Sequence, residues 1–293
     1  MLPQEILAQV RRLEIVTGRR VAESFAGDYL SVFKGRGMEF AEVREYVPGD
    51  EPRDIDRNVT ARAGKPFVRQ YVEERELTVV IAVDLSGSQA FGTAARLKRD
   101  AAVEAGAALA LAALANNDKI GLALFTEEVE RFLPPRKGRR HALAAVREIL
   151  AFAPRRRGTS LSTALETLTR MLKRRCILIV ISDFRDTGFE RALRLCALKH
   201  DLIPLVIEDP RESALPRASA VVEMSDPENG RTFAFDLRSQ ADALESEERR
   251  RRAELAKTLR ACGLDWASVS TDRPTLDPVI AFFRRRAKAR RVR

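Results

Sequence analysis

Cysteine, histidine and aromatic side chains are scarce in this sequence. Its 293 residues include three cysteines, two histidines and one tryptophan, and aromatics make up 6% of the chain. Cys176, Cys196 and Cys262 lie far apart and form no C-x-x-C pair. That spacing argues against a disulfide frame or a cysteine-held zinc site and fits reduced thiols in a reducing compartment. His141 and His200 fall in charged helical stretches, without a local partner for metal binding or proton transfer. No apolar run reaches the ~18–20 residues that span a bilayer. The longest candidate, residues 101–115, is interrupted by Glu104. The opening residues lack a signal-peptide layout, because Arg11 and Arg12 fall inside the apolar pattern. The expectation is a cytoplasmic protein. A Walker phosphate loop and a G-x-S-x-G nucleophile elbow are both missing, so neither nucleotide hydrolysis nor serine-hydrolase chemistry is expected.

What is present is a globular balance, 45% hydrophobic and 32% charged. The net charge is +10, but the last ten residues, RRRAKARRVR, carry seven basic side chains and no acid, which leaves about +3 for the rest. Such a tail suits nucleic acid, an acidic partner or a membrane surface, or is a solvated terminus.

Strand-like and helix-like segments alternate through the middle of the chain. Residues 76–84, 118–126, 176–183 and 201–209 read as strands, and 128–135 as a short strand closing a hairpin. Residues 94–117, 139–152, 160–173 and 188–200 read as helices. This order implies a doubly wound, mostly parallel sheet covered on both faces. The two most apolar strands should be central. Each ends in an aspartate, Asp84 and Asp183, and in such sheets sites form beyond the carboxyl ends of strands where the winding reverses. Three regions follow. Residues 1–75 form a leader with an N-terminal helix (4–22) and short strands (39–47, 65–72). Residues 76–210 form the α/β domain. Residues 211–293 form an α/β extension with strands at 219–226, 231–237 and 265–272, helices at 241–261 and 276–289, and the basic tail.

The segment VDLSGS places Asp84, Ser86 and Ser88 on alternate positions at a strand end, with Gly87 allowing a tight curl. One carboxylate and two hydroxyls make a hard-oxygen set, suited to Mg²⁺ or Mn²⁺. Asp183 supplies a second carboxylate and Thr159, in a loop before a helix, another hydroxyl. The competing interpretation is that the serines cap the next helix while Asp84 holds the turn. Weaker features read as structural. The acids of GDEPRDID (Asp50, Asp54, Asp56) suit a salt-bridged turn, and GRG (35–37) lacks a dinucleotide loop's third glycine. Arg155 to Arg157 form either a solvated loop or a basic rim beside Thr159.

D-x-S-x-S after an apolar strand, a later Gly-Thr before a helix and Ser-Asp after another strand resemble the metal-ion-dependent adhesion site of von Willebrand factor A domains, which are Rossmann-like. The resemblance implies that Ser86, Ser88 and Thr159 bind metal through their hydroxyls and that Asp84 and Asp183 act mainly through water. An acidic side chain of a partner then completes the site, with no catalysis. The stretch FKGRGMEFAEVREYVPGDEPRDIDRNVTARAGKPFVRQYVEERE is similar to the signature preceding the A domain in the domain-of-unknown-function 58 family. These bacterial proteins are associated with MoxR-type AAA+ ATPases, so the resemblance implies a chaperone or assembly role and an ATPase or its client as partner. Arg57, Gln89 and Ser160 depart from the usual tryptophan, methionine and aspartate at those points. The alternative expectation is a nucleic-acid-binding protein using the basic tail and arginine clusters. A metal-dependent hydrolase is a third, without a visible general base.

Overall fold

The computed structural model describes residues 39–72, 77–92, 96–216, 218–228 and 230–291. The expected helix at 4–22, the glycines at 35–37 and the last two residues of the basic tail lie outside them. The chain divides into two compact units, one being residues 33–76 and the other containing residues 77–293.

In the smaller unit, β1 (Glu39–Glu45) pairs antiparallel with β2 (Phe67–Val72). Between them lies the one-turn-and-more helix α1 (Arg57–Ala63). The reading of this region as strands and turn missed α1, although Asp56 announces it. The Asp56 carboxylate accepts from the backbone N–H groups of Asn58 and Val59, the work of an N-cap, and Gly64 ends the helix in the left-handed region at φ 69°. Asp50 receives a two-pronged contact from the Arg44 guanidinium, both bonds 2.7 Å, as a salt-bridged turn requires.

The larger unit is built on a six-stranded sheet in the order β10-β7-β6-β3-β4-β5. The strands are β3 (Thr78–Asp84), β4 (Lys119–Phe125), β5 (Val129–Arg136), β6 (Ile177–Ser182), β7 (Asp201–Glu208) and β10 (Ala267–Ser270). All are parallel to their neighbours except β5, which returns antiparallel to β4 as a hairpin. A separate antiparallel pair, β8 (Val221–Ser225) and β9 (Thr232–Asp236), precedes the long helix α7 (Leu237–Ala261). The remaining helices are α2 (Lys98–Ala115), α3 (Arg139–Ala151), α4 (Leu161–Met171), α5 (Glu190–Lys199), the single turn α6 (Pro210–Ser213) and α8 (Leu276–Arg291).

Burial explains why β3 and β6 read as unbroken apolar runs. Alternate side chains point to opposite faces of a strand, so a strand covered on both sides has no polar face. Val80 and Ala82 join Leu178 and Val180 in a core cluster with Leu161, Leu165 and Leu168 of α4 and Leu193 of α5. On the other face, α2 lies close enough that a Cβ at Gly106 would be 3.4 Å from Val83 Cγ2 and Ile149 Cδ1 and 3.6 Å from Ile181 Cδ1. Each such valine, leucine or isoleucine contributes roughly 1.5–3 kcal/mol when fully buried. The alanine-rich α2 is buried around most of its circumference, since its small side chains let it approach the sheet and α3 together.

From β3 the chain first adds strands on one side, β4 and β5, and then crosses back to place β6, β7 and β10 on the other. The reversal falls between β3 and β6, whose carboxyl ends are adjacent. The strand β10, far along the C-terminal extension, completes the same sheet beside β7.

One charged cluster fastens α7 to this frame. Buried Glu248 accepts from Arg251 at 2.8 Å, Arg252 at 2.9 Å and Arg185 at 2.9 Å. Burial opposes its ionisation, but the hydrogen bonds from Arg251 and Arg252 and the charge of Arg185 outweigh that and hold its pKa down to about 2. A carboxylate whose pKa falls on folding adds stability above its unfolded value, near 4.5, and loses it as pH drops toward 2. Glu248→Gln should therefore remove on the order of 3 kcal/mol of the acid-dependent stability between those pH values. Urea unfolding at pH 6 and pH 3 checks this: the variant's loss relative to wild type must shrink at the lower pH.

Candidate functional site

Parallel pairing sets Val83 of β3 beside Ile181 of β6, so Asp84, the last residue of β3, and Asp183, which follows Ser182 just beyond β6, emerge at the same edge of the sheet. Both are buried. Asp84 Oδ2 accepts from Ser182 Oγ at 2.6 Å, and Asp84 Oδ1 from the Ser86 N–H at 3.0 Å. Desolvation and then the charge of Asp183 push Asp84 up to about 7, against the opposing hydrogen bonds from Ser182 and Ser86. The negative charge on this pair is thus under-compensated by the protein around Asp84.

Ser86 and Ser88 are also buried, with their hydroxyl oxygens 3.2 Å apart. Two neighbouring oxygens on an octahedral Mg²⁺ with 2.0–2.1 Å bonds stand about 3 Å apart, so this spacing suits adjacent ligands. The short 3-10 helix Gly87–Ala90 follows, and the Ser86 hydroxyl at its N-cap makes no capping bond to it. Gly87 N–H donates to the Arg157 carbonyl at 2.6 Å, which ties the D-x-S-x-S loop to the loop carrying Thr159. That second loop is also held by the Ser160 N–H on the Thr126 carbonyl, at 3.0 Å, and by the Gly158 N–H on Glu127 Oε1, at 3.2 Å. Gln89, next in the motif, is fully buried, and neither its Oε1 nor its Nε2 has a hydrogen-bond partner among the described residues.

Thr159 Oγ1 donates to Glu228 Oε1 at 2.7 Å. Glu228 comes from the turn between β8 and β9. Burial, and the charges of Asp183, Asp226 and Asp186, raise its pKa, with the Thr159 bond acting the other way. Among the described residues, no group of three or more His, Cys, Asp and Glu side chains is arranged to hold a metal. A cation here would rest its direct contacts on the hydroxyls, with the acids further out.

Asp183 has a partner of its own. Lys98, at the start of α2, is buried and donates to Asp183 Oδ2 at 2.6 Å and to Glu212 Oε1 of α6 at 2.7 Å. Its ammonium also lies 5.7 Å from the centre of the Phe91 ring. Phe184, just after Asp183, has φ 51°, a left-handed conformation that costs a non-glycine residue about 1–3 kcal/mol. It is held by its N–H bond to Ser182 Oγ, at 3.0 Å, and by Arg251 of α7, whose Nη1 reaches the Asp183 and Phe184 carbonyls at 3.4 and 3.3 Å.

Asp84, Ser86, Ser88 and Asp183 thus meet at the switch between β3 and β6, and the Thr159 loop is bonded to them through Gly87. Three side chains that shape this place went unread in the sequence: Lys98, Glu228 and Arg251. Lys98 falls in the charged run RLKRD and reads as solvated. SDPENG announces a turn but not its destination.

Elsewhere, both histidines make packing contacts. His141 Nε2 contacts the Ile120 carbonyl at 2.9 Å, and buried His200 Nδ1 lies 3.4 Å from Cys176 Sγ. Burial pushes the Cys176 thiol up to about 12, which disfavours the thiolate form that reacts. Cys176, Cys196 and Cys262 are free thiols. Of the arginine clusters, Arg156 is exposed and pairs with Glu127 and Glu128, while Arg251 and Arg252 are engaged by Glu248 and Arg286 by Asp201. No helix among the described residues is long and apolar enough to cross a membrane.

The fold and site define a mixed α/β protein with an acid-and-hydroxyl cluster at the switch point of a mostly parallel sheet. The model of the family described as "Protein of unknown function DUF58" matches residues 42–254, and the chain belongs to that family. The Uncharacterized protein Rv1480 of Mycobacterium tuberculosis (strain ATCC 25618 / H37Rv) is 34% identical over 283 residues, covering 95% of this chain and 89% of that protein. The Uncharacterized protein MAV169 of Mycobacterium avium is 32% identical over 162 residues, 53% of this chain and 94% of its own length. Among solved structures, the conserved hypothetical protein BatB from Bacteroides thetaiotaomicron matches 72% of this chain and 99% of its own, at 18% identity and a TM-score of 0.46.

Replacing Lys98 by methionine would keep its volume and strip Asp183 and Glu212 of their shared buried cation. Removing one partner of a buried ion pair costs about 3–5 kcal/mol. Lys98→Met should lower stability by that amount in denaturant unfolding. A loss under about 1 kcal/mol would mean that solvent or a bound cation serves those acids instead.

Proposed function

We propose that this protein is a non-enzymatic protein-interaction module of the von Willebrand factor A type, which binds an acidic side chain of a partner through a divalent metal. The observation that carries this reading is the meeting of the Asp84, Ser86 and Ser88 turn with Asp183, the two serine oxygens lying 3.2 Å apart. Ser86, Ser88 and Thr159 would hold Mg²⁺ or Mn²⁺ by their hydroxyls. Asp84 and Asp183 would balance its charge through water. A bound Mg²⁺ supplies an electrophilic position that a carboxylate can fill.

The donor chemistry supports this fit. All the candidate groups are hard oxygens. The raised pKa of Asp84 marks a place where a cation would relieve the crowding of two buried acids. Thr159, by donating its proton to Glu228, keeps oxygen lone pairs available. Neither histidine lies at this site: His141 contacts the Ile120 carbonyl and His200 lies against Cys176. The partner class rests on the sequence resemblance alone, which implies a MoxR-type AAA+ ATPase or its client and a chaperone or assembly role. Free thiols at all three cysteines suit a reducing, cytoplasmic setting.

Calorimetric titration of Mg²⁺ or Mn²⁺ into the purified chain tests the reading. The wild type should bind one ion. Ser86→Ala and Asp84→Ala should lose that binding while keeping the wild-type circular dichroism spectrum. At a hundredfold excess over Kd the ion should add about 2.7 kcal/mol of stability, seen as a rise in Tm absent from both variants. Equal binding by wild type and variants would overturn the assignment.

A further inference from the structure

The β8–β9 hairpin lays its turn onto the acid-and-hydroxyl site of its own chain. Two contacts place it there. Thr159 Oγ1 donates to Glu228 Oε1 at 2.7 Å. At Gly87, inside the D-x-S-x-S motif, an added Cβ would lie 2.3 Å from the Pro227 carbonyl oxygen. The backbone of the turn therefore touches the loop that carries both serines, and only glycine at 87 permits this approach. The turn is shaped to hold that pose. The Glu228 N–H donates to Asp226 Oδ1 at 2.9 Å, and the Gly230 N–H to the Asp226 carbonyl at 2.8 Å. Structure thus carries a glutamate to one of the three hydroxyls assigned to the metal.

We infer that Glu228 is the protein's own acidic ligand: in the resting chain it fills the position that a partner's carboxylate would take, and a partner gains the site by displacing the β8–β9 turn. This rests on the metal reading proposed above. An acid tethered within the same chain acts at an effective concentration in the millimolar range or above. A lone free carboxylate would not compete with it. A partner must bring an acid together with further contacts, so the internal ligand sets a threshold that selects for a specific surface.

Hydrogen–deuterium exchange on the unaltered full-length chain, with and without Mg²⁺ alone, separates this inference from the reading beneath it. Expected is slowing of about tenfold or more at both the 84–88 loop and peptides covering Glu228. Slowing at 84–88 with no change at Glu228 would overturn the internal ligand and leave the metal site standing. No slowing at either segment would overturn both. A second readout excludes a merely structural role for the turn. Glu228→Gln should bind Mn²⁺ about 10–100-fold more weakly, and its Mn²⁺ should carry one more bound water than in wild type, counted by ¹⁷O-water broadening of the Mn²⁺ resonance. Unchanged affinity and water count would overturn the inference. Should that variant fail to fold, the exchange experiment on wild type decides alone.

Discussion

Two buried carboxylates on neighbouring strand ends repel one another, and the design of this protein around β3 and β6 can be understood as an answer to that repulsion. Parallel pairing puts Asp84 and Asp183 at the same edge of the sheet, out of contact with solvent. Water screens charges well and protein interiors do so poorly, so such a pair persists only with compensation close by. Asp183 has the Lys98 ammonium at 2.6 Å. Asp84 has the Ser182 hydroxyl and the hydroxyl and backbone N–H of Ser86, all neutral donors, and burial beside Asp183 still raises its pKa. Under the function proposed above, a divalent cation held by the adjacent hydroxyls would make up the difference.

The elements around the pair act to hold it in place. Arg251 of α7 clasps the carbonyls of Asp183 and Phe184 while pairing with Glu248, so a helix late in the sequence braces a loop near its middle. The left-handed backbone at Phe184 is strained, and strain of this kind persists only where the surroundings over-determine it. Lys98 joins the N-terminus of α2 to Asp183 and to Glu212 on α6. Site and scaffold are consequently coupled: the charges that neutralise the acids also fasten α2, α6 and α7 to the sheet edge.

Within this frame the β8–β9 turn has a particular place. Its glutamate bonds to Thr159, and its backbone lies against Gly87. An interaction site whose own chain supplies a competing acid would be selective by construction, since weak or purely electrostatic partners could not open it. The exposed arginines around Thr159 do not alter this picture, because Arg156 already pairs with Glu127 and Glu128.

Residue order alone carried the alternation of strands and helices, the central place of the two most apolar strands and the D-x-S-x-S turn. These are local properties: burial on both faces makes a strand apolar throughout, and Asp84, Ser86 and Ser88 lie within five residues of one another. Asp183 was legible too, because topology alone puts both strand ends on one edge. The helix at 57–63 was hidden by its brevity, its cap Asp56 being one acid among several in a charged run. The surroundings of the site emerge from the folded chain. Lys98 and Asp183 are 85 residues apart, Thr159 and Glu228 are 69, and Arg251 and Asp183 are 68. No periodicity spans such distances. A lysine, a glutamate and an arginine in charged stretches look solvated until the fold removes the water around them, and it is that removal that turns each into a partner of the buried acids or of the hydroxyls beside them.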